Sequence, residues 1–145
     1  MAGDDDRFDL GRFTSAQAGV YDRALAELTA GEKRSHWMWF IFPQLDGLGS
    51  SPTARQYAIK SMDEARAYLN HPVLGPKLLE CVEAVRAVED RSASQIFGYP
   101  DDLKLKSSMT LFASAADSES VFNSVLDKYF EGAPDERTLQ LLETC

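Results

Sequence analysis

The chain has 145 residues, a length at which a single domain buries about 68–70% of its unfolded surface and folds without disulfides or metal. Hydrophobic residues make up 44% and charged residues 26% of the chain, which is typical of a globular protein and excludes an intrinsically disordered one. The formal net charge of −8, with no clustered basic run to offset it, disfavours general binding to nucleic-acid backbones, and we expect none.

Cysteine usage and the N-terminal residues predict a cytoplasmic protein. The two cysteines, Cys81 and Cys145, are too few for the disulfide framework of a small secreted domain. The first residues, MAGDDD, have neither the basic nor the apolar region of a signal peptide. The longest uninterrupted apolar run, Trp37 to Phe42, is too short to cross a bilayer, so we expect no membrane association.

The first segments of the chain predict two helices of different length. Apolar residues recur at helical spacing from Thr14 to about Thr29, and Gly31 supplies a C-terminal stop. The aromatic segment from Ser35 to Gln44 has the composition of a strand, but no other segment predicts a partner for it. We therefore expect a short helix that is capped by Ser35 and ended by Pro43.

The Gly/Ser loop over residues 45–51 is followed by two helices with recognisable N-terminal caps. Ser51 precedes Pro52, a favoured first helical residue, and this helix is expected to extend through Ile59. Ser61 and Glu64 form a capping-box pattern that opens the next helix, which ends near residue 70.

The rest of the chain predicts further helices. Pro72 or Pro76 begins a longer helix, and its apolar stripe consists of Leu74, Leu78, Cys81, Val82, Val85 and Val88. The remaining segments are a short turn over residues 92–97 and helices over about 101–113, 120–130 and 135–143.

No internal repeat and no long linker divides the chain. The prediction is an all-α fold: a single compact domain of about seven to eight orthogonally packed helices over residues 9–143. Residues 1–8 are expected to form a flexible N-terminal segment.

Several motifs resemble those of a known bacterial family. The first is KRSHWMWFIFPQ, at residues 33–44, and the others are SPTARQYAI (51–59), AYLNHPVL (67–74), IFG (96–98), DLKLKSSMTLF (102–112) and TLQLL (138–142). On these motifs the chain resembles the domain-of-unknown-function 1810 (DUF1810) family over roughly Phe8 to Leu142. The resemblance implies a mainly α-helical fold and no particular activity. Some members carry the label calpastatin, a disordered inhibitor, which the globular composition of this chain does not match.

A remote similarity to the helical NADAR domains is also suggested. That resemblance implies action on ADP-ribosyl or related N-glycosidic substrates. No NADAR motif can be matched residue by residue in this chain, so it assigns no catalytic residue.

The aromatic segment is the first candidate site. The indoles of Trp37 and Trp39 and the ring of Phe42 offer flat faces for stacking a base, and His36 and Gln44 offer polar contacts. The alternative, which aromatic stripes favour more often, is a buried helix of the core.

The second candidate is the loop that precedes Pro52, with Gly49, Ser50 and Ser51. Free backbone N–H groups at a helix start favour an anion there, although plain helix capping explains the same residues. Tyr57, on the helix that follows, completes this group of candidates.

The third candidate is the segment from Asp102 to Thr110, in which Lys104 and Ser108 could hold a phosphate or a sugar hydroxyl. Asp102 and Lys106 are spaced for an i,i+4 ion pair, so an ordinary solvated helix face is the alternative. With two histidines and no Cys/His cluster, we expect no metal site and no cofactor.

These candidates lead to two hypotheses. The first is a helical protein with one pocket for a nucleotide-like or ADP-ribose-like small molecule, in which an N-glycosidic bond could be hydrolysed. The second is a non-enzymatic interaction or regulatory domain whose aromatic segment is simply core. Polar groups that converge beside an exposed indole face would favour the first hypothesis.

Overall fold

The computed structural model describes residues 7–116 and 120–143, which form an all-helical fold without a β-strand among them. The predicted all-α class is therefore confirmed. The described helices are α1 (Gly11–Gln17), α2 (Tyr21–Ala30), α3 (Met38–Ile41), α4 (Pro52–Gln56), α5 (Met62–Asn70), α6 (Leu74–Ala87), α7 (Ala93–Phe97), α8 (Asp101–Ala115), α9 (Val121–Phe130) and α10 (Glu136–Glu143).

Helix α8 is the centre of the fold and packs against α5, α7, α9 and α10. Every residue from Ser107 to Phe112 is buried, so this helix is enclosed on all sides over that stretch. Two of its buried hydroxyls make hydrogen bonds within the helix, since Ser107 Oγ and Thr110 Oγ1 donate to the carbonyl oxygens of Leu103 and Lys106. Helix α6 packs against α2, α5 and α9.

The described residues form ten helices, which is more than the seven to eight expected, for two reasons. The predicted helix over residues 14–29 is two helices, because Gly19 has a φ of 86° and interrupts it between α1 and α2. The predicted turn over 92–97 is a helix, α7, with a complete capping box between Ser92 and Gln95. Gly31 ends α2 in the left-handed conformation, as predicted.

The aromatic segment forms a short helix rather than a strand, but Ser35 is not its cap. The residue before α3 is Trp37, and the hydroxyl of Ser35 donates instead to the carboxylate of Glu27, at 2.6 Å. The Ser35 hydroxyl is therefore bound by a tertiary partner, and no side chain caps the start of α3. The helix ends at Ile41, before Pro43.

Helix α4 is shorter than predicted, because residues beyond Gln56 pair with the loop. The N–H of Ile59 donates to the carbonyl of Gln44, and the carbonyl of Ile59 accepts from the N–H of Asp46. These bonds form an isolated parallel bridge between Leu45 and Ile59.

The structure confirms the predicted caps of α4 and α5 and the predicted apolar stripe of α6. Ser51 and Ser61 accept hydrogen bonds from Ala54 N and Glu64 N, at the starts of α4 and α5. The predicted apolar stripe of α6 is buried, including Cys81. None of the described helices is long and apolar enough to span a bilayer. The predicted domain boundaries stay a prediction, and residues 1–6 and Cys145 lie outside the described ranges.

Candidate functional site

An open groove lies between α3, the loop over residues 45–51, α4 and the start of α8. It consists of two adjoining cavities, of about 400 and 300 Å³, and Trp39, Ser51 and Lys104 line both of them. We call it the Trp39 groove. It is the place where the three candidate segments of the sequence come together.

The half-buried indole of Trp39 forms the wall between the two cavities. The ammonium nitrogen of Lys104 lies 4.5 Å from the centroid of the indole ring. In the loop over residues 45–51, Gly49 approaches the indole so closely that a Cβ there would lie 3.0 Å from Trp39 Cη2 and 2.7 Å from Ala54 Cβ. The glycine therefore lets the loop close against the indole edge.

One end of the groove is cationic, and we define it by Lys33, Lys104 and Asp101. The two ammonium nitrogens lie 2.9 and 3.1 Å from the two carboxylate oxygens of Asp101. The side chain of Lys33 is only 7% exposed, and its ammonium lies 5.0 Å from the centroid of the Trp37 ring. Because two cations share one anion, this end has an uncompensated positive charge. His36 lies exposed at its rim.

The pKa of Asp101 reflects this arrangement. Burial by itself would raise the pKa, but hydrogen bonds from Lys33 and Lys104, and the charges of the same two lysines, lower it below its ordinary value. The carboxylate is therefore ionised near neutral pH.

The other end of the groove is polar, and we define it by Gln44, Ser107 and Asp135. Gln44 is 4% exposed, and its Nε2 has no hydrogen-bond partner among the residues that the structure describes. Asp135 Oδ2 accepts from Ser107 Oγ at 3.1 Å and from Thr138 N at 3.0 Å, the latter bond capping α10. Within the described ranges, Asp135 Oδ1 accepts no hydrogen bond.

Of the remaining predicted site residues, Phe42, Tyr57 and Ser108 do not line the groove, whereas Trp37 and the loop residues 49–51 do. Trp37 and Phe42 are 1% and 0% exposed, and Trp37 contributes only to the floor of the cationic end. Tyr57 is half-buried and packs its ring 5.3 Å from that of Phe40. Ser108 has no exposed surface, and its Oγ is unpartnered among the described residues. Gly49, Ser50 and Ser51 line the groove.

Sequence analysis did not single out Lys33, Asp101 or Asp135 as site residues, whereas Ser107 lies within the third candidate segment. Asp102 and Lys106, which are spaced for an ion pair, do not form one: Asp102 Oδ1 accepts from the N–H of Leu103, and the Lys106 ammonium lies 5.8 Å from the centroid of the Phe130 ring. A weak signal for Asp135 existed, since an Asp three residues before Thr138 is a common helix cap. No local signal indicated that Lys33 would meet Asp101.

Glu27 holds the segment that leads into α3. Its carboxylate accepts hydrogen bonds from Arg34 N, Ser35 N, Ser35 Oγ and Trp37 Nε1, at 2.6–3.0 Å. Burial by itself would raise the pKa of Glu27, but the bonds from Ser35, the Arg34 backbone and Trp37 outweigh it and lower the pKa to about 2.

The Glu27 contacts predict a pH-dependent stability. The folded pKa of about 2 is below the ordinary value of 4.5, so the contribution of Glu27 is complete above about pH 4.5 and is lost as the pH falls towards 2. We expect Glu27→Gln to cost about 1–2 kcal/mol at pH 7, discounted for partial solvent exposure. Urea unfolding at several pH values should show that this difference from the parent shrinks below about pH 4.5. A difference that is constant with pH would contradict the account.

The fold and the groove together define a small all-helical protein with an aromatic groove that is cationic at one end and polar at the other. Residues 7–142 match the family described as "Protein of unknown function (DUF1810)", and the chain belongs to this family. The predicted family resemblance is thereby confirmed.

A solved structure is similar to this chain in both sequence and fold. The crystal structure of the conserved hypothetical protein Rv1873 from Mycobacterium tuberculosis, at 1.38 Å, is 58% identical to this chain, with a TM-score of 0.93. The match covers 94% of this chain and 98% of that protein. No curated protein matches the chain. The remote similarity to NADAR domains is not shown by these comparisons. Across the two described ranges, no three His, Cys, Asp or Glu residues converge as a metal site would require.

Proposed function

We propose that the Trp39 groove binds a small nucleotide-like or ADP-ribose-like molecule. The phosphates would lie at the cationic end, against Lys33 and Lys104, and the ribose or base at the polar end, against Gln44 and Asp135. The half-buried indole of Trp39 lies between the two ends and offers its surface to the ligand.

The side chain of Gln44 is the observation that carries this proposal. A buried amide N–H without a partner costs about 1–3 kcal/mol, so packing alone gives no reason to have one. A ligand carbonyl or hydroxyl oxygen in the groove would accept from Nε2 and remove that cost. Gln44 lines the same cavity as Ser107 and Asp135, so donors and acceptors are both available to a sugar.

The cationic end supports the phosphate part of the proposal. Lys33 and Lys104 are both held in place by Asp101, so little side-chain freedom is lost when an anion binds. The net positive charge of the trio stands out in a chain whose formal net charge is −8. Electrostatic attraction of a phosphate would therefore be local to this end.

Gln44→Met is expected to separate binding from folding. Methionine has a similar length and no polar group, so the unliganded variant should be as stable as the parent, or more stable by up to about 2 kcal/mol. Stabilisation by the ligand should be lost. For the parent, a ligand at 100 times its dissociation constant adds about 2.7 kcal/mol. The measurement is thermal unfolding of both proteins with ADP-ribose, NAD and nucleotides.

Leu45→Met is a matched control, because Leu45 is a neighbouring residue, 2% exposed, that does not line the groove. It should keep the full ligand response. The proposal fails if no nucleotide or ADP-ribose compound shifts the parent, or if Gln44→Met responds as the parent does.

Hydrolysis of an N-glycosidic bond is the reaction that we propose for such a ligand. In that reaction the C–N bond breaks, water supplies the hydroxyl of the sugar, and the leaving base takes a proton. Asp135 Oδ1 is the carboxylate oxygen at the polar end that could assist the attacking water. Chromatographic detection of a released base after incubation with NAD and nucleosides tests this step separately from binding.

A non-enzymatic interaction domain is the second candidate. It is favoured by an exposed apolar cluster next to the polar end, where Tyr99 is 79% and Leu103 is 47% exposed. A protein that binds partners through this cluster would show no nucleotide response, so the thermal-unfolding experiment also decides between the two candidates.

A further inference from the structure

The polar end of the groove also has an apolar wall. Pro100 and Leu103 line its cavity together with Ser107, at the i, i+3, i+7 spacing of one face of α8. Asp101 lies on another face of the same helix and lines the cationic end, and Lys104 lines both cavities. The two ends of the groove therefore receive different surfaces of α8.

Leu103 leaves apolar surface open at this end of the groove. It is 47% exposed, and Leu48, Ala54 and the indole of Trp39 line the same cavity. Apolar surface that faces water costs about 25 cal/mol per Å², and this cost is removed where an apolar ligand surface covers it. The wall therefore favours a ligand that presents an apolar face at the polar end.

A ribose and a nucleobase would gain different amounts from this wall. The hydroxyl groups of a sugar lose hydrogen bonds to water when they are placed against leucine. A heterocyclic base has flat ring faces that stack on aromatic and apolar side chains, and its edge carries hydrogen-bond acceptors. The Nε2 of Gln44 is a buried donor in the same cavity, without a partner among the described residues. A base therefore fits both the apolar wall and the unpartnered donor.

We propose that the polar end of the Trp39 groove is a nucleobase subsite, in which Leu103 is the specificity-determining residue and Gln44 donates to the edge of the base. This inference rests on the proposed function and makes the ligand a base-bearing nucleotide instead of an abasic sugar phosphate. The phosphate keeps its place at the cationic end, and the ribose lies between the two ends. Asp135 Oδ1 stays available to the ribose and to the water of the proposed hydrolysis.

Titration calorimetry of the full chain tests the subsite with ADP-ribose and with AMP, GMP, CMP and UMP, each compared with ribose 5-phosphate, which has no base. We expect the parent to bind at least one base-bearing ligand about tenfold more tightly than ribose 5-phosphate. Leu103→Ala should weaken that ligand about fivefold or more, because apolar contact with the base is lost. It should leave ribose 5-phosphate within about twofold of the parent. Leu103 is exposed, so the variant should fold as the parent does.

Leu79→Ala is the matched control, because Leu79 is 44% exposed on α6 and lines neither cavity of the groove. It should keep every affinity within about twofold of the parent. The subsite is overturned, and the proposed function left standing, if ribose 5-phosphate binds the parent as tightly as the base-bearing ligands do. The same holds if Leu103→Ala weakens both kinds of ligand equally, or no more than Leu79→Ala does. A parent that binds none of these compounds would overturn both, and would leave the apolar surface at Leu103 to a partner protein.

Discussion

Gly75→Ala is expected to destabilise the protein by about 3 kcal/mol. Gly75 is buried in the first turn of α6, where this helix starts against the end of α5. A Cβ at this position would lie 2.2 Å from the carbonyl oxygen of Leu69. That oxygen belongs to the backbone, so it cannot move away by rotation of a side chain. The junction of α5 and α6 would have to open instead.

The measurement is the urea midpoint of Gly75→Ala beside that of the parent. Gly11→Ala is the matched control, because a Cβ on Gly11, also in the first turn of a helix, would meet no atom within 4 Å. That control should be unchanged or more stable by up to about 1 kcal/mol, since alanine favours helix more than glycine does. Equal midpoints for the two variants would show that the α5–α6 junction is looser than the structure indicates.

Arg12→Met is expected to cost about 3–5 kcal/mol, although only one side chain on a short helix changes. Methionine keeps much of the apolar stem, so the loss comes from the polar groups that Arg12 leaves behind. The Glu64 carboxylate would be buried without its cation, and the carbonyl oxygens of Gln56 and Ala58 would lose their donor. The connection between α1, the end of α4 and the start of α5 depends on these bonds.

Denaturant unfolding of three variants checks this prediction. Arg23→Met, at an exposed arginine of α2, should stay within about 0.5 kcal/mol of the parent. The double variant Arg12→Met/Glu64→Leu should regain part of the loss, because it removes the unpaired charge. If Arg12→Met alone stays within about 1 kcal/mol of the parent, the bond network of Arg12 contributes much less than its geometry indicates.

The candidate site was predictable where its residues are neighbours in sequence. Trp39, Gln44 and the loop from Gly49 to Ser51 belong to two adjacent segments, and an aromatic run followed by a glycine-serine loop is visible without a structure. Lys104 was singled out because it is close in sequence to the hydroxyls of Ser107 and Ser108. Which face each side chain presents was not predictable, and so Phe42 and Ser108 entered the candidate list although they lie in the core.

The sequence by itself determined the all-α class and most of the helix boundaries. Helical spacing, caps such as Ser51 and Ser61, and the stop at Gly31 act over one or two turns, so they can be recognised along the chain. Only the tertiary structure decided that Lys33 pairs with Asp101, that Asp135 and Gln44 line one cavity, and that Glu27 binds the Ser35 hydroxyl expected to cap α3. The physical reason is that these contacts join helices distant in sequence, whose packing is set by burial of the whole core and not by any local pattern.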